Sequence, residues 1–582
     1  MSDKIVSLFR ARRAGEKGAV KKDWGGRIPI ALVYPHHYRI GMSSLGYQVL
    51  YHLLNLRKDV VAERFFMPDE SEMPLYPERG KGLLSLESLS PLNRFDLIAF
   101  SLSFENDYPN ILKILELGKI PHLSVERDGT NPLVMAGGIT TFLNPEPLAS
   151  FFDFFLLGEA EAFLDDFIDL FAEIKDTSMG REDLLKTLAR DMGSIYVPSL
   201  YTPRYRKDGI LESMEPAVEG VPEKIKVART TDPETPVTTS TIRTLDTTFS
   251  DRVLIELGRG CGRSCRFCAA GYVYRPPRTQ SEAKLLSAVD RVMGECRNIG
   301  LLSAAVSDTP GIDDITGSII NQGGRFSVSS LRADSMSEAL IDHLKASGQK
   351  SIAIAPEAGS ERLRRMVNKH LSEGQIIDAV RLITRKKDFS LRLYFLMGLP
   401  TESQEDVEAI LELVKVIKHH MVKESRGRGQ IGRIRLSVNC FIPKPFTPFQ
   451  WHPMEQIATL KKKQKWLKKA LGREGGVRVS FDLPKWAYIQ TLLSMGDRRV
   501  ASMLLLAHRR HGDWTSALRF SEMNPDFYVY RPKDTSETLP WDFIDHGIHK
   551  AHLIKEYRLA LKGEESDICR VGECNRCGVC GG

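Results

Sequence analysis

Residues 252–278 read RVLIELGRGCGRSCRFCAAGYVYRPPR. The apolar run Val253-Leu254-Ile255-Glu256-Leu257 predicts a buried strand. Gly258, Gly260 and Gly262 then break it into a loop. On that loop sit Cys261, Cys265 and Cys268, spaced C-x3-C-x2-C. Three thiolates this close can hold three irons of a 4Fe–4S cluster, where a typical ferredoxin supplies a fourth. The remaining iron stays open to a ligand that is not protein. Phe267, just before Cys268, is placed to shield one side of such a cluster from water, a lever on its potential. The rival is a structural zinc site, but it needs a fourth Cys or His, and none lies nearby. Three unrelated cysteines would be the plainest reading. Three of nine cysteines within eight residues speak against it.

The spacing and the aromatic before the last Cys resemble the signature of the radical S-adenosylmethionine (radical SAM) superfamily. The resemblance implies that the open iron chelates the amino and carboxylate groups of S-adenosylmethionine. One electron from the cluster would then cleave this cofactor to methionine and a 5′-deoxyadenosyl radical. The protein's share is to position and shield the cofactors.

At 582 residues the chain is long enough for several domains. No apolar run approaches a membrane span, and the basic amino terminus lacks the apolar core of a secretory signal. The cysteines gather near 261–268 and 569–580, a pattern of metal binding in a reducing compartment. The expectation is a cytoplasmic protein with no membrane partner. The formal charge of +7 permits nucleic-acid contact without requiring it. Two basic runs, Lys423–Arg435 and Lys461–Lys469, read either as RNA-binding segments or as solvated faces.

Residues 1–26 read as an arm or surface helix, and 27–175 as a doubly wound, Rossmann-like α/β domain. Strands are expected at Ile28–Tyr34, Leu97–Ser101, Leu133–Ala136 and Phe151–Leu157. In such sheets ligands sit beyond the strands' carboxyl ends. That rim carries Gly41, Gly137, Gly138, Gly158 and Glu159. The Gly158-Glu159-Ala160-Glu161 segment resembles the G-E-x-E segment of cobalamin-binding-like domains in radical SAM proteins, and the resemblance implies cobalamin there. The Asp-x-His-x-x-Gly signature, whose His ligates cobalt, is absent. His36 and His37 stand in the wrong context, so cobalamin here would lack a protein His ligand. A degenerate domain kept for packing is the alternative.

Polar residues 176–245 read as a linker. From 246 to 475, alternating strands and helices predict a partial (β/α)6 radical SAM barrel, with its active face at the strand carboxyl ends. Strands are expected at Leu301–Val306, Phe326–Arg332, Ser351–Glu357, Leu391–Met397 and Arg435–Phe441. By resemblance, Asp308 falls where the superfamily holds the cofactor's amino group. Glu357 could accept from a ribose or form an ion pair. Ser360 is a candidate N-cap near the cofactor. Gly398 would let the adenine approach closely. Lys444, Thr447 and Trp451 are candidates for substrate contact. The motifs IEL-x-RGC-x3-CRFC, SSLR-x-DS, APEAGSERLR, YFLMGLPTE and F-x-PKPFTPFQW together resemble a bacterial radical SAM family with an amino-terminal cobalamin-binding-like domain and no assigned substrate.

Residues 476–563 read as a small α+β region, followed by a cysteine-rich tail, 564–582. Cys569, Cys574, Cys577 and Cys580 can close around a second iron–sulfur cluster or a zinc ion, and spacing leaves the two open. The leading functional reading is a radical SAM enzyme supplied by an electron donor such as flavodoxin or ferredoxin. With cobalamin bound, it would transfer a methyl group to an unactivated carbon. One alternative is modification of RNA or a ribosomal protein of the methylthiotransferase type. Another is a non-catalytic cobalamin or redox sensor.

Overall fold

The computed structural model describes residues 3–76, 82–177, 179–230, 232, 235–428 and 430–580. The amino-terminal sheet is built on β1 (Ile28–Tyr34), whose seven residues are all buried. With β2 (Val60–Phe66), β3 (Leu97–Ser101), β4 (Leu133–Gly137) and β5 (Phe154–Leu156) it forms a parallel sheet, order β2-β1-β3-β4-β5. β6 (Ile195–Tyr196) adds antiparallel to β5. Continuous apolar strands need cover on both faces. Helices Leu45–Leu56, Tyr108–Gly118 and Leu164–Lys175 provide much of it. Ile5 and Phe9 of the first helix, Asp3–Ala14, are buried in the same core.

The second sheet is an arc of parallel strands. β7 (Val253–Glu256), β8 (Asn298–Leu302) and β9 (Arg325–Val328) pair in sequence order. A parallel bridge, Leu331 to Ile354, leads on to β10 (Ser351–Glu357), β11 (Ser390–Met397) and β12 (Ile434–Cys440). A further parallel strand, β13 (Val477–Phe481), extends the arc beyond β12. The strand expected at Leu301–Val306 lies earlier, at Asn298–Leu302, and Val306–Asp308 is a 3₁₀ turn. Gly300 hides the true strand in the sequence, because the side chain of Leu254 fills the space where its Cβ would point.

After β13, the helices Pro484–Met495 and Val500–Arg509 pack back on the amino-terminal domain, against the helix Tyr108–Gly118 and the turns Glu105–Asp107 and Glu146–Leu148. Asn144 Nδ2 donates to the Ser494 and Gly496 carbonyls at 3.0 and 2.8 Å. Arg498 Nε donates to Glu146 Oε2 at 3.0 Å, and Glu146 is fully buried. The helix Lys550–Lys562 packs on the Pro448–Trp451 turn, and the chain then returns to the cysteine loop. Among the described residues no helix is long and apolar enough to cross a membrane.

Candidate metal centre and cofactor cavity

The cysteine loop is closed at its base by a two-residue antiparallel ladder, Gly258 to Thr279 and Arg259 to Arg278. Gly258 is demanded there: a Cβ would come within 2.6 Å of the Arg278 carbonyl oxygen. Cys261, Cys265 and Cys268 are all free thiols. Burial pushes the Cys268 thiol up to about 12, and it also raises Cys261. A metal must therefore displace protons to bind here. Buried Lys369 lies within electrostatic reach of Cys265, a counter-charge for thiolates. Among the described residues, no three His, Cys, Asp or Glu side chains converge on single-ion spacing. Ligands to three different irons of a cluster stand farther apart than ligands to one ion, so the triad is compatible with a cluster. Phe267 packs against a small buried cluster that includes Ala358, Leu399 and Phe441, just beyond the carboxyl ends of β10, β11 and β12.

The other barrel residues singled out from sequence lie at the same ends, already engaged. Asp308 is paired with Arg263 through two bonds of 2.8 and 2.6 Å. Glu357 accepts from Lys369 Nζ at 3.0 Å, the ion-pair alternative, and holds a left-handed φ of 69°. Such a conformation costs a residue with a Cβ roughly 1–3 kcal/mol. Ser360 caps the helix Glu361–Met366, accepting from the Leu363 amide at 3.2 Å and donating to Asp406 Oδ1 at 2.5 Å. Gly398 has φ 83°, and a Cβ there would lie 2.9 Å from both Glu455 and Leu460. Packing demands this glycine on that side. Thr447 and Trp451 are fully buried, which makes them core residues rather than open-rim contacts. Lys444 reaches across to Glu105 of the amino-terminal domain.

A cavity of about 510 Å³ opens where the carboxyl ends of the two sheets meet. One wall is the amino-terminal rim, with Ser101, Gly137, Gly138, Gly158 and Glu159. The facing wall is Glu256 and Leu302, at the ends of β7 and β8, together with Gly258, Gly260, Ala270 and Tyr274 of the cysteine loop. The floor is apolar, with Val49, Leu50, Ile139, Leu156 and Leu164, and Ser44, Ser103, Thr238 and Ser303 place hydroxyls around it. Gly41 does not line the cavity; it packs on Phe66, where a Cβ would lie 2.6 Å from the ring. His36 and His37 also stay outside. His36 Nδ1 accepts from the His37 amide, and His37 Nδ1 lies 3.2 Å from the Met67 carbonyl. Among the described residues the lining contains no histidine.

The charged clamp across this cavity was not read from the sequence. Arg259 Nη2 donates to Glu161 Oε1 at 2.5 Å, and Nε donates to Glu256 Oε1 at 3.1 Å. Arg278 Nη1 donates to Glu159 Oε2 at 2.8 Å. The two glutamates of the G-E-x-E segment thus grip the two arginines that flank the cysteine loop. The signal was present in the sequence: arginines at both feet of a glycine-rich loop, and two carboxylates one residue apart after a buried strand. Beyond Arg259 lies a second, more polar hollow of about 570 Å³, which shares Glu161, Thr238, Glu256 and Gly258 with the first.

Of the basic runs, Lys461–Lys469 lies within the helix Ile457–Leu471, with Trp466 against the core. Lys463 in it is buried, donating to Glu402 Oε2 at 2.7 Å. In Lys423–Arg435, Arg428 donates to the Arg385 carbonyl at 3.0 Å, and Gly429 lies outside the described residues.

Residues 46–198 match the family of radical SAM proteins' amino-terminal regions, and residues 255–414 match the radical SAM superfamily. An uncharacterised protein of Methanocaldococcus jannaschii, MJ0966, is 29% identical over 477 residues, 82% of this chain and 90% of that one. The ribosomal protein uS12 methylthiotransferase RimO of Petrotoga mobilis is 24% identical over 176 residues, 28% of this chain and 40% of its own length. Two solved structures overlap loosely. The radical S-adenosylmethionine methyltransferase TsrM from Kitasatospora setae, with tryptophan substrate and a cofactor analogue, overlaps at 15% identity and TM-score 0.41, over 70% of this chain and 72% of that one. The cobalamin-dependent S-adenosylmethionine radical enzyme OxsB, with aqua-cobalamin bound, overlaps at 13% and 0.42, over 92% and 80%. Overlaps this loose carry no residue roles across.

Proposed function

The chain belongs to the radical SAM superfamily, and from that premise we propose a cobalamin-dependent radical SAM enzyme that methylates an unactivated carbon. The observation that carries the cobalamin half is the cavity between the two sheets, because its far wall is the cysteine loop itself. A cofactor seated there would face the radical-generating centre with no domain movement.

In this reading Cys261, Cys265 and Cys268 hold the cluster and leave one iron for S-adenosylmethionine. Bound together, the cluster and that cofactor supply a carbon radical, and cobalamin supplies a methyl group. The chain's own residues bind, orient and exclude water. Phe267 would shield one side of the cluster from water. By the superfamily resemblance, Asp308 would meet the amino group of S-adenosylmethionine and Glu357 its ribose, and the ion pairs with Arg263 and Lys369 would hold the two carboxylates in place. The apolar floor and hydroxyl rim suit a broad, flat ligand edged with amides. Among the described residues the lining offers cobalamin no imidazole, and its hold would fall to the apolar floor and the hydroxyl rim. The superfamily draws its electron from a carrier protein.

Anaerobic reconstitution followed by iron, cobalt and 5′-deoxyadenosine measurement tests the reading. The wild type should bind one cobalamin and cleave S-adenosylmethionine. Cys265→Ala should abolish cleavage, and Val49→Trp, which fills the cavity, should lose cobalamin while keeping iron. Cleavage retained by Cys265→Ala would overturn the radical half, and a wild type that takes up no cobalamin would overturn the other.

A further inference from the structure

We infer that Cys569, Cys574, Cys577 and Cys580 hold a second iron–sulfur cluster, docked on the first cysteine loop, through which the reducing electron enters. The inference rests on the radical SAM reading of Cys261, Cys265 and Cys268.

The tail sits against that loop. The Cys569 amide donates to the Gly262 carbonyl at 2.7 Å. A Cβ at Gly262 would stand 3.1 Å from the Cys569 carbonyl oxygen and 3.8 Å from its Cβ. Gly262 adjoins Cys261, so the two cysteine sets are in van der Waals contact through their backbones. The docking is anchored on both sides of the tail. The Ser566 amide donates to Asn368 Oδ1 at 2.9 Å, and Asn368 Nδ2 donates to the Ser264 carbonyl at 3.2 Å. The His549 amide donates to the Cys577 carbonyl at 2.9 Å.

Between loop and tail lies a small hollow of about 20 Å³ that takes Ser264, Arg275, His552, Cys569, Cys574 and Cys577 into its lining. Arg275 is held there by the Gly271 carbonyl at 2.8 Å and by Ser264 Oγ at 2.9 Å. A fixed guanidinium beside several thiols suits an anionic thiolate centre. The tail has little apolar packing of its own: Ile568 and Val571 are 40% and 52% exposed. Four free cysteines remain to order it, the usual position of a segment folded by its metal.

The C-x2-C-x2-C run of Cys574, Cys577 and Cys580 admits either a cluster or zinc, and the contact with the first cysteine loop decides for a cluster. Zinc has no redox chemistry, so a zinc ion would leave the contact with the first loop without a use. In the relay, a reduced flavodoxin or ferredoxin gives one electron to the tail cluster. The tail cluster passes the same electron to the first cluster and returns to its oxidised state, with no bond made or broken and no proton moved.

The test uses the full chain, purified anaerobically and reconstituted, with iron, sulfide and zinc counted. The wild type should hold about eight irons and a Cys574→Ser/Cys577→Ser variant about four. The variant should lose most of the S-adenosylmethionine cleavage driven by reduced flavodoxin and far less of that driven by dithionite. One zinc with about four irons in the wild type, or equal loss with both reductants, overturns the inference. Cys580→Ser, at the end of the tail, repeats the count should the double variant fold poorly. If iron survives in Cys265→Ala with cleavage intact, the radical SAM reading fails and not the relay alone.

Discussion

Asp107 is a carboxylate folded where its charge is unwelcome. It begins the helix Tyr108–Gly118 and is buried beside Glu105, whose own carboxylate is engaged by Lys444 and Gln490. Burial first, and the Glu105 charge second, push its pKa up from 3.8 to about 7. The folded state then holds a proton that the unfolded chain releases. Its contribution is therefore most favourable below the unfolded pKa, is lost as the pH rises from about 4 to about 7, and stays lost above. Asp107→Asn should leave stability unchanged at pH 4 and raise it at pH 8 by up to about 4 kcal/mol, read from urea midpoints. Gly138 shows what was legible at this scale and what was not. The glycine pair at the end of β4 marks the ligand rim in the sequence. The reason for Gly138 is visible only in three dimensions: φ is 112°, and a Cβ would lie 2.3 Å from the Leu102 carbonyl oxygen. Gly138→Ala should cost about 1–3 kcal/mol by the same urea measurement, because the strain falls on backbone that cannot yield.

The elements that sequence patterning missed are those that break their own pattern. β2 reads VVAERFF, and the two charges at its centre hide it. Both are buried: Arg64 is met by Glu16 at 2.7 Å and Glu87 at 2.6 Å, and Trp24 Nε1 donates to Glu63 at 2.8 Å. No one-dimensional rule finds partners 23 and 48 residues away. By contrast β1 is an unbroken apolar run, β10 and β11 are mostly apolar with Arg392 the one internal charge, and all three lie within a residue of where the pattern puts them. The loop hairpin at Gly258–Arg259 and Arg278–Thr279 is the element on which the candidate site turns. With only two residues a side, its own ladder is weak, and the clamp to Glu159 and Glu161 holds it. Glu159→Gln/Glu161→Gln should increase amide exchange across that hairpin by about ten-fold or more, since each charged hydrogen bond contributes about 1.5–3 kcal/mol. Exchange in β1, whose ladders run to β2 and β3 and do not involve the clamp, should not change.

At the scale of the whole molecule, each candidate function depends on two halves meeting, and composition and periodicity say nothing about how halves meet. The contacts that join them are made by residues distant in sequence: Arg498 with Glu146, Lys444 with Glu105, and the short parallel ladder of Ile544 on Ile225. These straps bring the carboxyl rims of the two sheets to one cavity, so a ligand there touches both. That joint wall makes a prediction that a self-contained amino-terminal site would not. Cobalamin at 100 times its dissociation constant stabilises the bound state by about 2.7 kcal/mol. If it sits against both walls, amide exchange should slow together at Gly137–Ile139 on one side and at Gly258–Gly260 on the other. Protection confined to the amino-terminal rim would mean that the cofactor docks on that domain alone and that the cysteine loop is not its second wall. Arg278→Gln, which loosens the clamp from outside the cavity lining, then separates the two cases further. Loosening the clamp should weaken cobalamin binding where the loop is part of the site, and should leave it unaltered where the loop only lies nearby.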